Sequence, residues 1–316
     1  MKLKKPQFWN YKKPNIFAYF LWPISFILQL LDSFRKIFIS KKKFKEIKTI
    51  CIGNIYVGGT GKTSLSLKIY EILDKKKLKT CFIKKDYIDQ LDEQKILEKK
   101  GKLFKSKKRV VALKNAIKEN YDVAIFDDGF QDKTIDYDLN YLCFNNLNWI
   151  GNGLTIPSGP LRENFKNIRN ISNIFINGDL DKIDNIKKKI LDTNPKANIH
   201  IGKYVPQNLE KFDTNEKYLV FSGIGNHKTF LSMLKINNFN IIKDIEFPDH
   251  YNYSKNDIDK IISISKNYNC KILTTEKDYI RLKNYMTDKI EFISSKLEIL
   301  NEEKFFETLT KIYEQN

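Results

Sequence analysis

The stretch Thr49–Thr63, TICIGNIYVGGTGKT, holds the residue types that handle phosphate. An apolar run around Ile50, Cys51 and Ile52 reads as a buried strand, and it enters a turn with glycines at 58, 59 and 61. Lys62, Thr63 and the helical pattern SLSLKIYEIL follow. Glycine permits tight turns and close approach of backbone to a ligand. Successive amides at a helix start make a nest for phosphate, Lys62 reaches the distal phosphates, and the Thr63 hydroxyl can ligand Mg²⁺. Tyr56 stands where the usual pattern has its first glycine, so this is a variant phosphate loop. Tyr56, Val57, Gly58, Gly59, Thr60, Gly61, Lys62 and Thr63 are expected to hold a nucleotide. A purely structural glycine turn is the competing reading, which the preceding strand and following amphipathic helix disfavour.

Carboxylates supply the rest of the chemistry. In YDVAIFDDGFQ, 121–131, VAIF is an apolar strand with Asp127 and Asp128 at its C-terminal end. Ligands bind at that edge of a parallel sheet, so the pair is expected to reach Mg²⁺ directly or through water; a cap or turn role is the alternative. Gly129 and Gln131 let the loop fold back over the site. Asp92 and Glu93 precede a helical stretch in a lysine-rich segment. Alone they read as a solvated face; beside the phosphate loop they would take a proton or hold the metal. In the glycine- and proline-rich run 148–168, Arg162 and Glu163 are the charged members. Arg162 is suited to clamp a phosphate, though the run also reads as a hinge. His250, in a PDH turn, can orient a carboxylate base or simply bond within the turn. His227, at a helix start, reads equally as surface or substrate contact, and His200 as a strand residue without catalytic consequence.

The elements that must position these residues alternate strand, loop and helix, which predicts an α/β fold with a mainly parallel sheet, layered as in phosphate-loop NTPases. Residues 64–74 are the first helix, 78–85 a strand, VALKNAIKEN a helix and YLCFN, 141–145, a further strand. Beyond them lie a strand at 171–178, an alternating hairpin-like stretch at 197–209, a βα junction at 218–230, a strand ending at Thr274–Asp278, and finally the strand KIEFIS and the helix EEKFFETLTKIYE. Ser254 and Asp257 form a capping box. Three parts are expected: a hydrophobic, basic segment 1–45, a nucleotide domain 46–165, and a second, smaller α/β domain 166–316 whose last helix can pack back on the first.

Lys and Arg number 56 against 38 Asp and Glu, a net charge of +18, which favours anionic partners: nucleic acid, an anionic membrane face or phosphorylated substrates. The four cysteines show no ligand spacing, which fits buried, reduced thiols. Residues 16–31, IFAYFLWPISFILQLL, carry no formal charge and follow Lys2, Lys4, Lys5, Lys12 and Lys13. As a helix they rise about 24 Å, short of the roughly 30 Å hydrocarbon core. With aromatic and basic flanks they read as an interfacial or embedded anchor; a true span and a buried helix are the alternatives. No small-residue cleavage site follows, against a removed signal peptide.

GNIYVGGTGKT (53–63), DDGFQ (127–131), GNGLTIPSGPLRE (151–163), FSGIGNHKTF (221–230), FPDHYNYS (247–254) and TTEKDYIRL (274–282) together resemble the tetraacyldisaccharide 4'-kinase family. The resemblance implies transfer of the ATP γ-phosphoryl group to the 4'-hydroxyl of an acylated glucosamine disaccharide 1-phosphate in lipid A synthesis, with Mg²⁺. It implies work at the cytoplasmic face of the inner membrane of a Gram-negative bacterium. It implies Asp92 as base with His250 assisting, Lys62 in its phosphate-loop role, Thr63, Asp127, Asp128 and Glu93 around the metal, and Asp127 and Asp128 also serving active-site electrostatics, Asp128 as a catalytic residue. Gln131, Arg162 and Glu163 fall to the substrate. A monomer that does not bind nucleic acid is expected. The family's SRGYG-like stretch is IKKDYID (83–89) here, its GDEP is LDEQ (91–94), and its asparagine-proline is Asn226-His227. Two rivals stand beside this reading. One is an NTPase driving metal delivery or assembly, which would turn over ATP without a lipid acceptor; the other is a basic nucleic-acid binder, for which aromatic-basic interleaving is missing.

Overall fold

Short runs of Ile, Val and Phe make the strands, and the amphipathic stretches between them return the chain to the same edge, which is what parallel pairing demands. The computed structural model describes residues 5–86, 91–178, 180, 183–282, 285 and 288–314. Its larger sheet has eight strands in the order β12 (Ser295–Ile299), β7 (Asn198–Pro206), β6 (Asn173–Asn177), β5 (Leu139–Asn145), β1 (Lys48–Gly53), β4 (Val123–Asp127), β2 (Thr80–Lys85) and β3 (Leu103–Ser106). Neighbours run parallel except β12 against β7. Later strands leave β1 on one side through β5 and earlier ones on the other through β4, so the strand order reverses at β1. Crevices open at such a point, outside the carboxyl ends of the strands.

Helices cover both faces. Leu65 and Ile69 of α2 (Lys62–Lys75), Leu97 of α3 (Leu91–Lys100), and Phe305 and Leu309 of α9 (Glu302–Glu314) bury Ile50, Ile52 and Phe82. On the other face, Ala112 and Leu113 of α4 (Arg109–Lys118) meet Cys81 and Ile83, and Ile186 and Ile190 of α5 (Ile183–Thr193) meet Phe144 and Ile174. The smaller sheet has four strands, all parallel, in the order β11 (Ile290–Ile293), β10 (Lys271–Thr275), β8 (Lys217–Ser222) and β9 (Asn240–Glu246). Its helices are α6 (His227–Ile236) on one face, α7 (Lys255–Tyr268) on the other, and the short α8 (Glu276–Arg281). Ser254 and Asp257 form the expected capping box at α7.

Several expectations are corrected. The sheets do not divide at 165/166: β6, β7 and β12 all belong to the larger one, and the chain crosses to the smaller between 206 and 217 and back at Ser294. Within 197–209, Asn198–Pro206 form a single strand, not a hairpin, because its partners are β6 and the distant β12. KIEFIS supplies β11 of the smaller sheet, and the chain re-enters the larger one immediately after it, as β12 from Ser295. A strand, β3, lies within the charged segment expected to be loop and helix. The N-terminal helix α1 runs Ile16–Ile37, past Asp32 and roughly 33 Å at 1.5 Å per residue, so it is not too short for a bilayer core. Lys2, Lys4 and the end of IKKDYID lie outside the described residues.

His200 of β7 is buried against Phe305 of α9, which fits its expected structural role. Burial, with Lys304 nearby, pushes its pKa down from 6.5 to about 4. The unfolded chain therefore binds a proton that the fold refuses between those values, and stability should fall by up to about 1.4 kcal/mol per pH unit on acidification through that window. His200→Phe should flatten this limb in denaturant unfolding at pH 6.5 and 4.5; an unchanged slope would show that the imidazole is not held neutral.

Candidate active site

The carboxyl ends of the two sheets face each other across a cavity of about 850 Å³. One wall is the glycine-rich loop. Asn54, fully buried after β1, donates through Nδ2 to the Tyr56 carbonyl at 2.7 Å and to Thr60 Oγ1 at 2.9 Å. Asn177 at the end of β6 donates to the Thr60 carbonyl at 2.5 Å. Gly61 caps α2 at φ 77°, a left-handed conformation that glycine adopts without penalty. All eight loop residues expected to hold nucleotide, from Tyr56 to Thr63, line the cavity. The opposite wall is the Gly223–Asn226 turn after β8. A Cβ on Gly225 would lie 2.1 Å from the Gly59 amide nitrogen, so the two loops touch only because both lack side chains there.

Behind the loop lies a buried charge network. Asp127 ends β4 with no exposed surface and accepts from Thr63 Oγ1 at 3.2 Å, Ser66 Oγ at 3.3 Å and Lys84 Nζ at 2.5 Å. Lys84 of β2 also reaches Glu93 Oε2 at 2.7 Å. Burial would lower its pKa, yet Asp127 and Glu93 outweigh this and hold the ammonium above its ordinary value. Asp128 follows in the left-handed region at φ 57°, a conformation uncommon for non-glycine residues but one that aspartate adopts more readily than most. That turns its carboxylate to Lys62 Nζ at 3.8 Å and Arg162 Nη1 at 3.2 Å. Burial opposes its ionisation, and the two cations overcome burial and keep it below the usual carboxylate range.

The third cluster spans the sheets. His250, also left-handed at φ 56°, presents Nδ1 to Asp92 Oδ1 at 3.0 Å. Arg281 Nη2 reaches Asp92 Oδ2 at 2.5 Å. Asp92 is buried, which alone would raise its pKa, but the His250 hydrogen bond and Arg281 hold it well below normal. His250 and Glu93 line the cavity, with His250 Nε2 4.0 Å from Glu93 Oε1. Asp278, fully buried, fixes Arg281 Nη1 at 2.9 Å and accepts from the Gly223 amide at 3.0 Å.

The expected residues thus divide. Lys62, Thr63, Asp128, Arg162, Glu93 and His250 line the cavity; Asp92 and Asp127 stand directly behind it. Glu93 meets Lys84 and, at 3.7 Å, Lys277, and no group of three or more acidic, histidine or cysteine side chains placed to hold a metal occurs among the described residues. Gln131 braces the loop, donating to the Asn54 carbonyl at 2.7 Å and accepting from Arg162 at 3.0 Å. Glu163 is corrected: it is buried away from the cavity, paired with Lys36 of α1 at 3.2 Å. His227 is not at the surface but buried between Ser222 at 2.6 Å and Asp244 at 3.1 Å.

A family model described as "LpxK: Tetraacyldisaccharide-1-P 4'-kinase" matches residues 17–314. The chain is 55% identical to the tetraacyldisaccharide 4'-kinase of Pelagibacter ubique (strain HTCC1062), over the whole of both chains. It is 33% identical to that of Rickettsia typhi (strain ATCC VR-144 / Wilmington), covering 98% of this chain and 99% of the relative. The chain belongs to the tetraacyldisaccharide 4'-kinase family. In fold it is similar to the crystal structure of LpxK from Aquifex aeolicus in complex with ATP, with a TM-score of 0.68 at 22% identity, covering 94% of this chain and all of that one.

Set against the family pattern, the departure IKKDYID is where Lys84 sits, and LDEQ delivers Asp92 and Glu93 to the cavity region. Lys84, Asn54, Asn177, Asp278 and Arg281 escaped the sequence reading. Nothing in the spacing of the first three betrays that they converge, whereas Asp278 and Arg281 stood in the TTEKDYIRL motif, without a partner to reveal their roles. Removing one member of a buried ion pair leaves the other charge uncompensated, at a typical cost of 3–5 kcal/mol. Lys84→Ala should therefore destabilise the fold by about 3 kcal/mol in denaturant unfolding, and Lys84→Arg by less; a loss under about 1 kcal/mol would mean Asp127 and Glu93 are solvated without it.

Proposed function

We propose that the cavity binds ATP on the amides of residues 58–63 and passes its γ-phosphoryl group to the 4'-hydroxyl of tetraacyldisaccharide 1-phosphate. The observation that carries this is the convergence, in one cavity between two facing sheet edges, of the glycine loop, Lys62 and Arg162 with the Asp92–His250 pair. Phosphoryl transfer asks a protein chiefly for alignment and electrostatic stabilisation. Lys62 and Arg162, both against Asp128, put positive charge where the transferring group must pass. Asp92 has its oxygens turned to His250 and Arg281, and His250 is the member of the pair that lines the cavity. The imidazole takes the hydroxyl proton, and the Asp92 carboxylate fixes its tautomer and stabilises the imidazolium.

Thr63 and Asp127, 3.2 Å apart at the foot of the loop, suit Mg²⁺, which keeps several waters and needs only one or two protein oxygens beside substrate phosphates. When bound, it supplies neutralisation of phosphate charge. Glu93, held by Lys84 and Lys277, contributes electrostatics at most at one remove. An NTPase with no lipid acceptor would not require the apolar N-terminus.

The helix α1 supports work at a membrane. Ala18 and Ser25 are its buried residues, and Phe17, Phe20, Ile24 and Ile27 are all about half or more exposed, an apolar surface larger than water tolerates on a lone protein. Its midpoint is fastened to the protein: Ser25 Oγ donates to the Thr155 carbonyl at 3.0 Å and Gln29 Nε2 to Thr155 Oγ1 at 2.7 Å. A helix held along its middle, with Lys12 and Lys13 before it and Arg35 and Lys36 at its end, fits the interface of an anionic leaflet. The substrate's acyl chains stay in that leaflet; we place it at the cytoplasmic face of a Gram-negative inner membrane.

Transfer of radiolabelled γ-phosphate from ATP to the disaccharide lipid in mixed micelles tests the reading; ATP consumption that never labels the lipid would sink it. Asp92→Asn should lower kcat about 10²–10⁴-fold while ATP binding stays nearly intact, and turnover unchanged from the parent would remove the pair from proton transfer. Lys62→Ala should be more damaging still. Replacing Phe17, Phe20, Ile24 and Ile27 together by serine should abolish co-flotation with anionic vesicles; retained flotation would shift membrane attachment elsewhere.

A further inference from the structure

The segment ahead of the apolar helix does not trail away from the protein. Residues Gln7–Asn10 form a 3₁₀ turn pinned to the 148–163 loop. Trp9 Nε1 donates to the Pro157 carbonyl at 2.9 Å, and the Asn152 amide donates to the Trp9 carbonyl at 3.0 Å. This strap carries Lys5, Gln7 and Asn10 to the wall of the cavity. The Lys5 ammonium lies over the Tyr56 ring, 5.5 Å from its centroid, and 2.2 Å from where a Cβ on Gly58 would sit. Gly58, at φ 128°, is thus the residue whose bareness admits the ammonium to the nucleotide loop.

Lys5 has no carboxylate in ion-pair contact among the described residues; Asp249 and Glu246 act on it only at longer range, with Lys62 and Arg162 on the same side. Burial depresses its pKa in spite of those two acids. A buried-side ammonium beside two further cations gains most from an anion with several oxygens. We propose that Lys5 is a third phosphate-binding cation of this active site, delivered by the Trp9 strap, so that the docked N-terminal segment completes the site.

The proposal rests on the kinase reading of the cavity. Its ligand is a phosphate group, either the γ-phosphate of ATP or the 1-phosphate of the acceptor, and both lie within the chemistry of that reading. The 148–163 loop gives the strap its meaning. That loop holds Trp9, holds Ser25 of α1 and carries Arg162 into the cavity, so seating the helix on lipid and seating Lys5 on phosphate use one scaffold.

The test uses the full chain with Lys5→Met, which keeps the stem and removes the charge, Lys5→Arg, which keeps the charge, and Trp9→Ala, which frees the strap. Two readouts are taken on each: the dissociation constant of a fluorescent ATP analogue, and KM for the disaccharide lipid in mixed micelles. Loss of one charge-assisted contact should raise one of these about tenfold in Lys5→Met, with most of it restored in Lys5→Arg and a similar rise in Trp9→Ala. A rise in the first constant assigns Lys5 to ATP; a rise confined to the second assigns it to the acceptor's phosphate. Both constants within twofold of the parent in Lys5→Met would overturn the proposal, as would an equal loss in Lys5→Arg. Lys62→Ala serves as the control: if it too leaves transfer unchanged, the kinase reading itself fails, whereas its loss beside a neutral Lys5→Met rejects Lys5 alone.

Discussion

A carboxylate with no exposed surface at the end of a central strand must find cations and donors inside the protein, and Asp127 is such a group. Ionised and unpaired it would cost several kcal/mol. Lys84 from β2, and Thr63 and Ser66 from α2, answer it, so the strand that ends in Asp127, the helix that starts at the glycine loop and the neighbouring strand are locked by one charge. Lys84 in turn commits Glu93, and α3 is thereby drawn against the site. The alternation continues through Asp128 with Lys62 and Arg162, and through Asp92 with Arg281 and His250. Each charge is where it is because its neighbour would otherwise be buried alone.

That network also ties the two sheets together around one cavity. Asp92 belongs to the helix after the larger sheet's second strand, and both of its partners belong to loops and helices of the smaller sheet. Across the gap, backbone meets backbone at Gly59 and Gly225, where no side chain holds the walls apart. The cavity between the edges is lined by Lys62 and Arg162 from the larger sheet's side and by His250, Lys277 and Arg281 from the smaller's. The apolar helix is joined to this arrangement by the 148–163 loop rather than by a flexible tether, which fixes the cavity relative to the exposed apolar face of α1.

How much of this was legible depended on range. The strand, glycine turn and helix around Lys62 could be read because they lie in consecutive residues. The capping box at Ser254 and the acidic pair ending β4 are local in the same sense. The hairpin expected at 197–209 failed because alternation specifies a strand but not its partner, and the partner lies some ninety residues on. Glu163 was misplaced for a related reason: its charge suggested substrate, while the helix it actually pairs with is more than a hundred residues upstream. The stretch at 83–89 departs from the family pattern, and its Lys84 is among the most buried cations of the described residues.

By itself the sequence determined the kind of chemistry, the α/β class, the apolar helix and the family, since each rests on residue types in short, ordered runs. Tertiary structure decided which sheet each strand joins, which carboxylate faces the cavity and which stands behind it, and that Lys5 returns to the glycine-rich loop. Those are matters of burial and of which distant charges are forced together when water is excluded, and no local pattern records them.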